Sequence, residues 1–180
     1  MTGAKAVPTL MILSSKLKNA ACRPLSDGQQ FQSIVGGLMY LTHTRPDIAF
    51  SVHRVAQYMH NPCEEHWIAI KRILRYLAET THYFIVFHAN SSTNDIVAFA
   101  DADWATNPDD RRSISGQYVF LGENLVSWSL KKQKTVAHSA KYRSIADTVA
   151  EVVWIQSLLR DWVKNNEKFL LYGVITLVQW

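Results

Sequence analysis

The sequence predicts an α+β chain: a helical unit, then a small antiparallel sheet with its own helix. Three observations carry that prediction. Apolar residues recur at helical spacing from Ser26 to about Thr80, the period falls to two from Tyr83, and helical spacing returns over residues 139–163. Residues 1–25 have scattered Pro, Lys and Ser without a period and read as an extended lead-in. Ser26 to Gln29 fits a capping box, after which Phe31, Ile34, Val35, Leu38 and Met39 line one face of a helix to about Leu41. In "TRPDIAFSVHRVAQYMHNP", Pro46 and Asp47 suit a first helical turn, Ile48, Val52, Val55 and Met59 share a face, and Asn61-Pro62 is a stop. A third helix, "EEHWIAIKRILRYLAET", turns Trp67, Ile70, Ile73, Leu74 and Leu77 inward and Lys71, Arg72 and Arg75 outward, either as a plain solvated face or as a support for nucleic acid.

The strand region is read by its period. "YFIVFHA" and "IVAFADA" are predicted strands separated by the turn-rich "NSSTND". "SGQYVFLGENLVSWSL" is a hairpin around Gly122-Glu123-Asn124, and "KTVAHS" supplies a further strand after the basic turn "KKQK". In the helix over 139–163, Ile145, Val149, Val152, Val153, Ile155, Leu158 and Leu159 form a broad buried face, and "KFLLYGVITLVQW" supplies a last strand. Trp104, Trp128 and Trp154 sit among apolar neighbours and are predicted to pack in the core.

Composition narrows the function classes. Lys plus Arg exceed Asp plus Glu by 19 to 15, a formal charge of +4 that suits a polyanionic partner. Cys22 and Cys63 lack paired C-x-x-C spacing, which argues against a zinc cluster or a disulfide framework and predicts ordinary thiols in a reducing, intracellular setting. "VPTLMIL" is interrupted by Ser14, Ser15 and Lys16, so no export signal is expected. The longest uncharged apolar run, "FLLYGVITLVQW", is too short for a membrane span, and no membrane partner is expected. The His residues show no H-x-x-x-H or H-E-x-x-H spacing and receive no catalytic role.

Two groups of residues carry chemistry. In "VAFADADWA", Asp101 and Asp103 lie two apart on one strand face; such a pair either ends a strand or begins a metal site. Arg111, Arg112, Lys131, Lys132 and Lys134 either grip phosphates, releasing counterions, or solvate a hairpin turn.

"SIVGGLMYLTHTRPDIAFSV", "MHNPCEEHWIAIKRILRYL", "FADADWA", "DDRRSISGQYVFLG" and "VSWSLKKQKTVA" together closely resemble the Pol polyprotein of copia-type LTR retrotransposons, from Ser26 to about Trp162. The resemblance implies that residues 26–90 are the helical tail of a reverse transcriptase with its connection. It implies that residues 95–180 are a truncated ribonuclease-H-like domain: a three-stranded antiparallel meander, a helix and a last strand. It also implies an RNA:DNA hybrid as substrate and a site where four carboxylates gather two Mg²⁺ ions, which hold only hard oxygen ligands.

Set against that pattern, the first carboxylate is Asp101, with Asp103 beside it as a second, weak metal ligand. Where the family has a run resembling T-E-A-E-Y, this chain reads "HSAKYRSIAD", and the position before Tyr142 is Lys141, an ammonium that repels a cation. Where the family shows L-W-C-D-N-I-G-A, "LYGVITLVQW" has no acid, and the fourth carboxylate is expected beyond Trp180. The expectation is a degenerate Pol fragment without catalytic activity, with Mg²⁺ as cofactor only if it is active. The alternatives are an active Mg²⁺-dependent ribonuclease H and a noncatalytic module that binds a hybrid or other nucleic acid. Oligomeric state and location are not written in any motif. Codons for Tyr172 through Gln179 can be chosen so that the frame beginning at the third base of Tyr172 reads Trp-Cys-Asp-Asn-Ile-Gly-Ala. A frameshift origin predicts that codons 172–180 in genomic DNA spell this motif, and codons that cannot do so exclude it.

Overall fold

The computed structural model describes residues 5, 7–11, 17, 23–89, 95–104, 110–136, 139–165 and 176–178, with backbone alone for 163–165 and 176–178. Cys22, His138, residues 90–94 and most of the last apolar segment lie outside the described residues. The chain divides into two units, Met1–Ile85 and Val86–Trp180. The predicted mixed helix-and-sheet class holds.

The first unit contains α1 (Gly28–Leu41), a 3₁₀ turn (Pro46–Ile48), α2 (Ala49–Ala56) and α3 (Glu64–Glu79). α1 ends where predicted, but its cap is Asp27, whose carboxylate accepts from the Gln30 amide at 2.9 Å, not Ser26. Phe31, Val35, Leu38, Ile48, Val52, Val55, Ile70 and Ile73 form the core, so the helical periods place the right faces inward. Leu17 of the lead-in joins them, its carbonyl accepting from the Tyr58 hydroxyl at 2.7 Å. Arg72 is turned back to the lead-in, donating from Nε to the Thr9 carbonyl at 3.0 Å, and Lys71 lies over the Trp67 ring; the basic face of α3 is thus partly covered rather than simply outward. Cys63 is disulfide-bonded, correcting the expected free thiol. The bridge pairing Pro24 with Cys63 shows how the lead-in is brought alongside, a long-range approach that no short-range spacing reveals.

One buried cation organises this unit. Arg45 holds Asp47 with both Nε (2.9 Å) and Nη2 (2.8 Å) and reaches the end of α3 at the Thr80 carbonyl (2.8 Å) and hydroxyl (2.8 Å). Tyr76 adds a hydroxyl hydrogen bond to Asp47 at 2.9 Å, and Tyr83 lies against the guanidinium face. Burial by itself raises the Asp47 pKa; the hydrogen bonds from Arg45 and Tyr76 outweigh it and leave the carboxyl below its ordinary value.

The second unit is a sheet with strand order β3-β2-β1-β4 and one helix. β1 (Ile96–Ala102), β2 (Ile114–Leu121) and β3 (Asn124–Lys132) form the predicted antiparallel meander, and β4 (Thr176–Val178) pairs parallel with β1. The β2–β3 turn is two residues long, and Gly122 takes the positive φ of 57° that such a turn requires. α4 (Ala140–Asn165) lays Val152 and Ile155 on Ile96, Ala98 and Val119.

Four local predictions fail here. "YFIVFHA" forms no strand: Phe84 and Phe87 are exposed, and the His88 backbone is gripped by the Asn124 side-chain amide at 2.7 and 3.0 Å instead of a ladder. Lys134–Val136 and Ser139, the described part of "KTVAHS", are not a strand either; the inward-turned Gln133 amide bonds Ser115 Oγ (2.8 Å) and, at the start of α4, the Ala140 carbonyl (2.9 Å). Val153 and Leu158 are exposed, since a single sheet face covers only a narrow stripe of α4. Trp104 and Trp154 are also exposed, not core; Trp104 follows the end of β1, and Trp154 lies on the uncovered side of α4.

Replacing Arg45 with Ala is expected to destabilise the chain by about 2–4 kcal/mol, less than a fully buried pair because part of the cluster is wetted. Urea denaturation followed by circular dichroism checks this. The Asp47 contribution is present above the ordinary carboxylate pKa and is lost as pH falls through the depressed one, so the variant and parent converge in acid.

Candidate nucleic-acid interface

Strand alternation fixes the two acids. In β1 the even-numbered residues Ile96, Ala98, Ala100 and Ala102 are buried, and Ile96 and Ala98 face α4. Asp101 therefore belongs to the opposite face and is exposed, its Cα paired with Gly116. Its backbone carbonyl accepts from the Ser144 hydroxyl of α4 at 2.7 Å. Asp103 lies one residue past the strand and extends the ladder: its amide donates to the Ile114 carbonyl at 3.1 Å, and its carboxylate accepts from the Ile114 amide. The two acids thus differ in use. Asp103 fastens β1 to the start of β2, whereas Asp101 presents its carboxylate to solvent.

Lys141 is exposed in the first turn of α4, and Ser144, three residues on, hydrogen-bonds the β1 backbone. Buried polar groups fix this packing: Thr148 donates to Gln117 Oε1 at 3.1 Å and to the Ser144 carbonyl at 2.8 Å. Among the described residues no group of three or more His, Cys, Asp or Glu side chains is placed to hold a metal ion. One exposed carboxylate and one engaged by a backbone amide do not fit a two-Mg²⁺ centre.

The cations gather at the same end of the sheet. Antiparallel pairing sets Lys132 opposite Ile114 and Lys131 opposite Ser115, and the Gln133 amide donates to the Ser113 carbonyl at 2.8 Å. Arg111 and Arg112 precede Ser113 and β2, and Arg112 meets Lys132 at Asp110; Lys131, paired with Ser115, lies on the α4 face of the sheet, opposite to that of Lys132, with Lys134 next along the chain. Arg111, Lys131 and Lys134 are exposed. Lys132 is paired with Asp110 at 2.8 Å, and Arg112 Nε lies 3.5 Å from the same carboxylate oxygen. Burial pushes the Asp110 carboxyl up, but hydrogen bonds with Lys132 and the Arg112 amide outweigh it and hold the pKa below the ordinary value. Asp110 was missed by sequence reasoning; an Asp two residues before an amide, with Arg alongside, is a local turn signal that marks it. A cavity of ≈ 330 Å³ between α4 and the hairpin, lined by Ser115, Gln117, Ser129, Lys131, Asp147 and Glu151, was also missed because its two walls are far apart in sequence.

Comparison with known proteins decides the family. The chain is 46% identical over 164 residues to the retrovirus-related Pol polyprotein from transposon RE2 of Arabidopsis thaliana, and 48% identical over 164 residues to that from transposon RE1 of the same plant. Each match covers 89% of this chain. The chain belongs to the copia-type retrotransposon Pol family. It spans 11% of the length of either Pol polyprotein. An uncharacterized mitochondrial protein of Arabidopsis thaliana is 46% identical over 131 residues, 71% of this chain and 54% of that protein. No protein-family model and no solved structure matches. The hydrogen bonds of Asp103 distinguish it from Asp101.

Those different uses have a measurable consequence. Asp103→Ala is expected to lose about 1–3 kcal/mol by leaving the Ile114 amide without its acceptor, while Asp101→Asn stays within about 0.5 kcal/mol of the parent. Urea midpoints of the two variants against the parent check the contrast.

Proposed function

We propose that Val86–Trp180 is a ribonuclease-H-like unit of a Pol fragment that binds nucleic-acid phosphates without hydrolysing them, and that the helical unit before it is the tail of a reverse transcriptase with its connection. The order of elements supports this: an antiparallel meander, a helix, then a strand returning parallel to the first. The observation that carries the reading is the use of charge at the end of the sheet. The Asp103 carboxylate is engaged by Ile114, the position before Tyr142 is Lys141, and Arg111, Arg112, Lys131 and Lys132 all lie at the end of the sheet where β2 begins and β3 ends. Hydrolysis by two cations needs several carboxylates converging on one point; phosphate binding needs only exposed positive charge. A Pol-related stretch also occurs in the mitochondrial relative, at about half that protein's length.

Two measurements on purified full-length chain test this. With an RNA:DNA hybrid and Mg²⁺, no cleavage above background is expected; Mg²⁺-dependent cleavage abolished by Asp101→Asn would establish the active-enzyme reading instead. Binding to the same hybrid is expected to weaken with salt, and neutralising Lys131, Lys132 and Lys134 together to Gln is expected to lower the slope of log K against log salt by about 2–3. Salt-independent or absent binding rejects the proposal.

A further inference from the structure

The residues just before β2 hold an anion already, and it is the chain's own. The Asp110 carboxylate is met from three directions: by the Arg112 amide at 3.2 Å, by Arg112 Nε at 3.5 Å and by Lys132 Nζ at 2.8 Å. A backbone N–H combined with a guanidinium and an ammonium is the donor set with which proteins hold phosphate oxygens. Arg111, between the carboxylate and its amide donor, takes a positive φ of 58°, a conformation uncommon outside glycine, and this backbone turn aims the Arg112 amide back at Asp110.

We infer that Asp110 is an internal stand-in for phosphate: it occupies an oxyanion site made by Arg112 and Lys132, and a nucleic-acid phosphate displaces it. The contact is autoinhibitory. In the resting chain Arg111, Lys131 and Lys134 are exposed, Lys132 is paired with Asp110, and Arg112 reaches the same carboxylate while its side chain stays 45% exposed. Displacement is feasible because the pair is half-wetted: the Lys132 and Asp110 side chains are 26% and 35% exposed, so water and salt screen the attraction. A backbone carrying many phosphates also releases counterions as each contact forms, an advantage that one tethered carboxylate lacks. The inference rests on the proposed nucleic-acid binding, and it adds that Lys132, and the Arg112 Nε that shares its carboxylate, turn to a phosphate only when Asp110 leaves.

Asp110→Asn tests it in the full chain, because asparagine keeps an oxygen for the Arg112 amide and loses only the charge. Affinity for an RNA:DNA hybrid, measured by fluorescence anisotropy over a salt series, is expected to rise roughly threefold to tenfold, and the salt slope to steepen by about 1–2. Glu123→Gln, which makes the same charge change at the exposed turn of the hairpin, is expected to shift affinity less than about twofold with no change in slope. Equal effects of the two substitutions overturn the latch. If no variant binds hybrid, the nucleic-acid reading has failed, and inorganic phosphate still interrogates the latch: the Arg112 amide resonance should respond to phosphate at lower concentration in Asp110→Asn than in the parent, and identical responses overturn it. Should the variant fail to fold, the parent decides. Its Asp110 carboxyl carbon resonance should move when hybrid or phosphate binds, and a resonance that stays fixed while the neighbouring amides shift overturns the inference.

Discussion

The register of β1 against β2 is the constraint on which the candidate interface depends. Pairing Asp101 with Gly116 and Ala102 with Ser115 delivers Asp103 to Ile114, where both its amide and its carboxylate find backbone partners. A shift by one residue would exchange every side chain between the helix-facing and open faces and put Asp101 beneath α4. The same register, passed on through β2 to β3, decides that Lys131 and Lys132 lie at the same end of the sheet as Arg111 and Arg112. Acid and base therefore meet at one end of the sheet through backbone pairing, without attraction between the charges having to arrange it.

α4 holds that register in place through polar contacts more than through its apolar stripe. Ser144 bonds the Asp101 carbonyl and lies 3.5 Å from that of Gly116, so one hydroxyl touches both strands at the paired position. Thr148 continues the seam at Gln117, and Gln133 closes it at Ser115 and Ala140. These groups are almost fully buried, and a buried hydroxyl or amide without a partner is costly; the seam accordingly selects one seating of the helix where hydrophobic contact alone would tolerate several. The exposed Val153 and Leu158 fit this picture, because only Val152, Ile155 and, in part, Leu159 are needed to fill the small core below.

Elements set by local pattern were legible in the sequence. α1, α3 and the β2–β3 hairpin follow from periods of 3.6 and 2 and from one glycine turn, all contained within short windows. What was not legible depends on distant partners. "YFIVFHA" has a strand's alternation, but a strand needs a neighbour, and the His88 backbone is held by the Asn124 side chain instead. Arg45 was singled out by no motif, because its partner Thr80 lies 35 residues away and no spacing rule connects the two. Of the candidate site, the acid pair and the basic residues were singled out by type and position. Their division of labour was not, since an Asp that fastens a strand and an Asp that faces water are identical letters.

Hydrolysis and phosphate binding differ in how much geometric error each can absorb, and the proposed reading rests on that difference. A two-cation site requires its ligands within a few tenths of an ångström of their places. Attraction to a phosphate backbone acts over about a Debye length, roughly 8–10 Å at ordinary salt, and survives small movements of any single lysine. Lys141 illustrates the asymmetry. At a cation site an ammonium is repulsive, but toward a polyanion it adds to the charge that Arg111, Lys131 and Lys134 already expose. On the proposed reading, one charge at Lys141 therefore counts against cleavage and in favour of phosphate binding.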